Sequence, residues 1–124
     1  MAVERQWLQS WFEGTPVRIE QRSASAFSVS VPRRYCFEPG ASQVLPPLAA
    51  LLDKVAQSLK RQPEARLLLV AAPGDAGAAP ALALQRAEAV RRQLLSQGVP
   101  ASRLAAAGAG EGAVVLLRVG FATP

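Results

Sequence analysis

Two residues of opposite charge flank a run of small residues in this chain. Asp75 sits in the turn Pro73-Gly74-Asp75-Ala76-Gly77, and Arg86 sits in the helix-like stretch Leu82-Ala83-Leu84-Gln85-Arg86-Ala87-Glu88-Ala89-Val90. Arginine offers a planar fork that fits a carboxylate bidentately. A carboxylate accepts hydrogen bonds from an amine. Placed together near a helix entrance, the two suit a zwitterion, such as an amino acid with a free amine and a free carboxylate. Backbone amides at the helix N-terminus add donors for the same anion, although Pro80 removes one of them. Each residue also has a plainer reading. Arg86 is equally read as a solvated surface residue or as a partner for Glu88 or Asp75, and Asp75 as a turn residue chosen for its backbone hydrogen bonds.

Little else in the sequence carries chemistry. The chain has no histidine and one cysteine, so histidine-dependent triads and proton shuttles, metal clusters and a disulfide framework are not expected. Cys36, next to Phe37, reads as a small buried hydrophobe with no activating base. The expectation is a protein that is not an enzyme and that needs no cofactor or metal. Fourteen basic against nine acidic residues give a formal charge of +5, which draws nucleic acid, anionic lipid or an acidic polymer. The bases are scattered, with no run longer than two, and the aromatic residues are not interleaved with them. A nucleic-acid partner is therefore not expected. The Gly108-Ala109-Gly110-Glu111-Gly112 cluster lacks dinucleotide-binding spacing and precedes a β-type run, so it reads as a tight turn between the last two strands.

The elements that must position Asp75 and Arg86 follow from periodicity. At 124 residues, half of them apolar, the chain can bury a core without staples. No apolar run approaches the roughly 18 residues of a membrane span. The N-terminal residues, with Glu4 and Arg5, lack the apolar core of a secretory signal. That leaves a cytosolic protein or a domain whose targeting segment lies elsewhere. Trp7, Leu8, Trp11 and Phe12 mark one face of a helix ended by Gly14, read first as packing of an added N-terminal helix and second as a docking patch. Residues 17–20 and 27–31 alternate apolar and polar as a hairpin would. Leu48, Leu51, Leu52, Val55 and Leu59 form the stripe of a helix from Pro46 to Lys60, with Asp53, Lys54, Gln57, Ser58 and Lys60 away from it. Leu67 to Val70 reads as a buried strand. A second helix runs from Pro80 to near Gln97, with Ala83, Ala87, Val90 and Leu94 inward and Gly98 as its left-handed cap. Arg103 to Ala107 is a short strand candidate, and Val114 to Phe121 closes the chain as a strand. The expected class is an α/β sandwich (α+β), one sheet with helices packed on one face.

From Arg33 to Pro124 the sequence resembles the OmpA-like C-terminal domain family. The resemblance rests on Phe37-Glu38-Pro39-Gly40-Ala41-Ser42 with Leu45 before the first helix, Leu82 with Arg86-Ala87 and Val90 in the second, the Gly98-Val99-Pro100 exit, Arg103-Leu104, the turn from Gly108 to Glu111, and Arg118-Val119. It implies a β-α-β-α-β-β mixed sheet over residues 33–124, preceded by an extension, residues 1–32, of one helix and a hairpin. It further implies non-covalent peptidoglycan binding in the periplasm of a Gram-negative envelope. By motif, Asp75 would take the free amine of the diaminopimelate stem peptide and Arg86 its carboxylate. Departures from the family pattern lie at the ligand: Gly74 replaces a Thr, Ala79 an Asn and Ala83 a Ser, and the stretch before Arg86 is about four residues short. They support an alternative, a degenerate module that no longer holds peptidoglycan and serves as a scaffold for envelope proteins, for example in a secretion machine.

Overall fold

A computed structural model describes residues 1–77, 80–110 and 112–121. The order of elements is α1 (Ala2–Trp11), β1 (Arg18–Ser23), β2 (Ala26–Pro32), α2 (Pro46–Arg61), β3 (Ala65–Ala72), α3 (Pro80–Ser96), β4 (Ala107–Ala109) and β5 (Val114–Phe121). The strands form one mixed sheet in the order β1-β2-β5-β3-β4, antiparallel except for the β3–β4 pair. From β2 onward the chain has the β-α-β-α-β-β order implied by the resemblance, with its first strand supplied by the second arm of the hairpin. The sheet therefore continues across the expected 32/33 division, since β2 joins β1 on one side and β5 on the other.

Register explains which face is covered. Val29, Leu117 and Val70 lie side by side, as do Phe27, Val119 and Leu67, and all are buried in one core cluster with the apolar stripes of α2 and α3. The alternate positions carry Arg18, Glu20, Arg118 and Arg66 on the solvent side of the sheet. β3 is not the uniformly buried run expected of it. Leu68 alternates outward after the inward Leu67 and is 37% exposed, and the register shift between Leu67 and Leu69 brings Val70 back to the core side.

Both long helices begin at prolines, whose missing N–H has no intrahelical partner at those positions anyway. Gly98, at φ +91, ends α3 in a Schellman turn, with the Val99 N–H reaching the Leu94 carbonyl at 3.3 Å. Two expectations need correction. Residues 101–103 form a 3₁₀ turn, so the short strand starts at Ala107 rather than Arg103. The Arg103 guanidinium instead caps α2, donating to the carbonyls of Leu59, Gln62 and Ala65 at 2.5–2.7 Å. β4 and β5 are not neighbours either: β3 lies between them, so their connection crosses the end of β3 instead of closing a hairpin. Gly110 sits where a Cβ would come within 3.1 Å of the Ala71 methyl, which accounts for a glycine there. Glu111 of that cluster, and Ala79 of the resemblance, lie outside the described residues.

Candidate functional site

The site is assembled from three segments. The first follows β2: a 3₁₀ turn at Arg33–Tyr35 leads to Phe37, and Glu38 to Ala41 then make a tight turn closed by the Ala41 N–H on the Glu38 carbonyl at 3.0 Å. Pro39 and Gly40 occupy its centre, and Gly40 at φ +72 is the left-handed position a type II turn requires. The second segment is the exit of β3 through Pro73-Gly74-Asp75. The third is the second turn of α3, which carries Arg86.

Arg86 lies three residues after Ala83 and four before Val90, so it shares their buried face. Its side chain is completely enclosed. Nε donates to the Ala41 carbonyl at 2.8 Å, Nη1 to the Pro73 carbonyl at 3.1 Å and to Asp75 Oδ1 at 2.8 Å, and Nη2 to the Glu38 carbonyl at 3.1 Å. Four of the five guanidinium N–H groups are thus engaged among the described residues, and the Phe37 ring lies 5.1 Å from the charge. The reading of Arg86 as a solvated surface residue is overturned; it is Asp75's partner.

Asp75 is the exposed half of the pair, with a quarter of its side chain open to solvent. Oδ1 takes the Arg86 bond, and Oδ2 takes the Gly40 N–H at 2.7 Å. The Arg86 hydrogen bond, then the Gly40 N–H, hold its carboxyl below the usual carboxylate range. Asp75 is therefore ionised at neutral pH, with lone pairs left for a further donor. The structure brings together both residues singled out in the sequence. Sequence reasoning missed Gly40 and Arg33. Arg33 Nη1 donates to the Gly74 carbonyl at 2.8 Å, and its Nε lies 3.8 Å from Asp75 Oδ1. The Pro39-Gly40 pair was the available signal, since such a turn points its amides and carbonyls at whatever it covers.

Cys36 is fully buried, its Sγ 3.4 Å from the Pro32 carbonyl, and burial pushes its thiol up to about 12 against a weaker pull from Arg86. It packs beside the site and offers no thiolate at neutral pH. Among the described residues no cluster of potential metal ligands is present, and no helix is long and apolar enough to cross a membrane.

Fold and site together define an α/β sandwich with a charged pair at the junction of its third strand and its last helix. The chain belongs to the OmpA family, whose model matches residues 36–116. Its fold is similar to that of a MotB-like protein from Desulfovibrio vulgaris, at 16% identity and a TM-score of 0.78, covering 98% of this chain and 92% of that one. It is similar as well to the cell wall anchor of the T6SS from Pseudomonas aeruginosa, at 16% identity and a TM-score of 0.73, covering 95% and 96%. The peptidoglycan-associated lipoprotein from Burkholderia pseudomallei shares 27% identity at a TM-score of 0.52, over 74% of this chain and 86% of that one. No curated protein sequence matches the chain.

Proposed function

We propose that this chain anchors an assembly of the bacterial envelope to peptidoglycan, from the periplasmic side and without forming a covalent bond. Membership of the OmpA family supports the reading, as does the likeness to a cell wall anchor and a peptidoglycan-associated lipoprotein. The ligand is the zwitterionic end of a diaminopimelate stem peptide, held at Asp75 and Arg86. One observation carries the proposal: Asp75, ionised and a quarter exposed, is locked in place by Arg86 and the Gly40 N–H, yet keeps acceptor capacity for an amine. A preformed charge that needs no reorganisation binds with little ordering cost. The test is retention on purified sacculi. The native chain is expected to sediment with them, and Asp75→Ala is expected to lose that retention.

A second reading is favoured by the enclosure of Arg86. A guanidinium engaged by three carbonyls and one carboxylate is also a latch that ties the 38–41 turn to the exit of β3. On that reading the pair is structural, the domain is a scaffold for envelope proteins such as those of a secretion machine, and sacculi do not retain the native chain.

A further inference from the structure

A second concavity lies where the N-terminal elements meet the start of α2. Its walls include Trp11 and Phe12 where α1 ends, Val17, Val31 near the end of β2, Tyr35, and Pro47 in the first turn of α2. They enclose about 300 Å³, at the lower end of the range for ligand sites and room for one or two side chains of a partner. Of its lining residues only Pro47 and Ala50 fall within residues 36–116, so the cleft is built mainly by sequence outside the family match. Trp11 is 54% exposed, and no other aromatic residue is as open among the described residues. Two cations stand on the aromatic walls. Lys54 Nζ lies 3.7 Å from the centre of the Trp11 ring, and the Arg34 guanidinium 4.8 Å from that of Tyr35. Neither cation has a salt-bridge partner among the described residues. No carboxylate lines the cleft. Glu13, next to Phe12, lines a separate cleft beside β1, and Asp53, next to Lys54, accepts from Gln57 Nε2 at 2.9 Å.

We propose that this cleft docks a segment of a partner protein, one that inserts a large apolar side chain and sets acidic residues against Lys54 and Arg34. The inference is independent of the peptidoglycan reading. Burial of the apolar walls supplies the attraction. The cations select the flanks: each already has a ring on one side and no acid on the other, so a carboxylate from the partner completes it. Trp and Tyr beside an arginine also make up the usual anchors of protein interfaces. A bilayer suits the surface less well. Phe12, Val17 and Val31 are recessed walls that a flat lipid surface does not enter, and Lys54 covers the one protruding ring, Trp11. A second copy suits it poorly too. Its exposed Leu68 stands two residues from Arg66 on the same face of β3, and its exposed Leu84 has a single acid, Glu88, one turn away.

Titration of the full chain with the peptide acetyl-Asp-Glu-Phe-Leu-Glu-Asp-amide tests this. The peptide has no Trp, so the fluorescence of the chain reports on Trp11, and amide NMR shifts at Val17, Val31 and Tyr35 locate the contact. Saturable binding centred on those residues is expected, with a dissociation constant of about 1 mM or tighter. A peptide with lysines in place of the four acids should bind at least about tenfold more weakly, and one with serines in place of Phe and Leu should not saturate. Lys54→Gln should weaken the acidic peptide about two- to fivefold. Ala50→Glu, at an exposed position of α2, plugs the cleft and repels the acids. It should abolish binding while Tm and retention on sacculi stay native. Trp11→Ala should abolish binding as well, and should it loosen α1, Ala50→Glu still decides. Absence of saturation, equal affinity for the lysine peptide, or native binding by Ala50→Glu overturns the inference. So does dimerisation, or pelleting with phosphatidylglycerol vesicles, that Ala50→Glu removes while the peptide fails to bind, since the cleft would then serve a second copy or a bilayer.

Discussion

Among the described residues, acid and arginine meet in two clusters, around Asp75 and around Glu4, and these are built in opposite senses. At the Asp75 end the arginine is enclosed and the acid looks out. At the other end Glu4, on α1, is the buried partner, its side chain 6% exposed, while Arg61 at the end of α2 is 41% exposed. Glu4 Oε1 accepts from Ser58 Oγ and from Arg61 Nη2, each at 2.7 Å, and Oε2 accepts from Gln62 Nε2 at 3.3 Å. Arg61 also lies over the Trp7 ring at 3.7 Å, and Lys54 over Trp11 at the same distance. All the Glu4 charge is spent inside the protein, so this pair is a staple for α1. An outward-facing carboxylate with free lone pairs can serve a ligand, and an inward-facing one cannot. Which partner is buried therefore separates a site from a staple, more than the presence of an ion pair does.

The contrast is most severely tested by removing the enclosed arginine. Arg86→Ala takes the Arg86 donor from the carbonyls of Ala41 and Pro73, leaves the Glu38 carbonyl with the Ala41 N–H alone, and opens a cavity beneath them. A loss of about 3–5 kcal/mol is expected, seen as a fall in Tm of roughly 10–20 °C. Arg86→Lys should recover only part of it, since one ammonium cannot span the same acceptors. A variant that keeps its Tm would mean that the latch is not structural. Glu4→Ala comes next. It strands the Ser58 hydroxyl, 2% exposed, but lets Arg61 rehydrate, so about 1.5–3 kcal/mol is expected. The loss should be local to α1, read as faster amide exchange there and a red shift of Trp7 fluorescence.

These two clusters also mark where the sequence was readable. The stripes of α2 and α3, their proline starts and the Gly98 stop follow from apolar spacing and backbone chemistry, which are local properties. Burial of a charged residue is not local. Ser58 was placed on the outer face of α2, yet it is buried because Glu4, 54 residues away, supplies its acceptor. α1 was read from Trp7, Leu8, Trp11 and Phe12, but its most buried residues are Leu8 and Glu4, and Trp11 is 54% exposed beneath Lys54. Leu8, Trp7 and Phe12 do meet the core, but hydropathy alone ranks Trp above Glu and so misses Glu4 beside them. For the site, Asp75 and Arg86 were legible through the family pattern, but their direct bond and the enclosure of the guanidinium were not. Those depend on the Pro39-Gly40 turn folding over them. Arg33 had no signal beyond being one of many scattered arginines.

Acid sharpens the comparison further. Burial works against the Glu4 charge, but the bonds from Arg61, Ser58 and Gln62 and the attraction of Arg61 outweigh it, so its carboxyl also sits below the ordinary range. Both acids thus have folded values depressed below their unfolded ones. Their contribution to stability is full above the unfolded value, near 4, and is lost as pH falls through the folded values. Stability should decline between about pH 5 and 2, and Glu4→Gln should flatten that decline. An unchanged slope in Glu4→Gln would show that the α1 staple does not depend on ionisation.

A smaller effect on folding than that of Arg86→Ala is expected at the position proposed to meet the ligand. Asp75→Asn keeps the shape of the side chain and an acceptor for Arg86 or the Gly40 N–H, and a quarter of the residue already faces water. Arg86 keeps its three carbonyls and loses only the charge of Asp75, so Tm should move less than in Arg86→Ala, while retention on sacculi disappears, because an amide cannot balance the charge of a bound ammonium. The converse outcome, a large fall in Tm with retention intact, would make Asp75 a second staple like Glu4. Exposure would then no longer mark which of the two pairs meets a ligand.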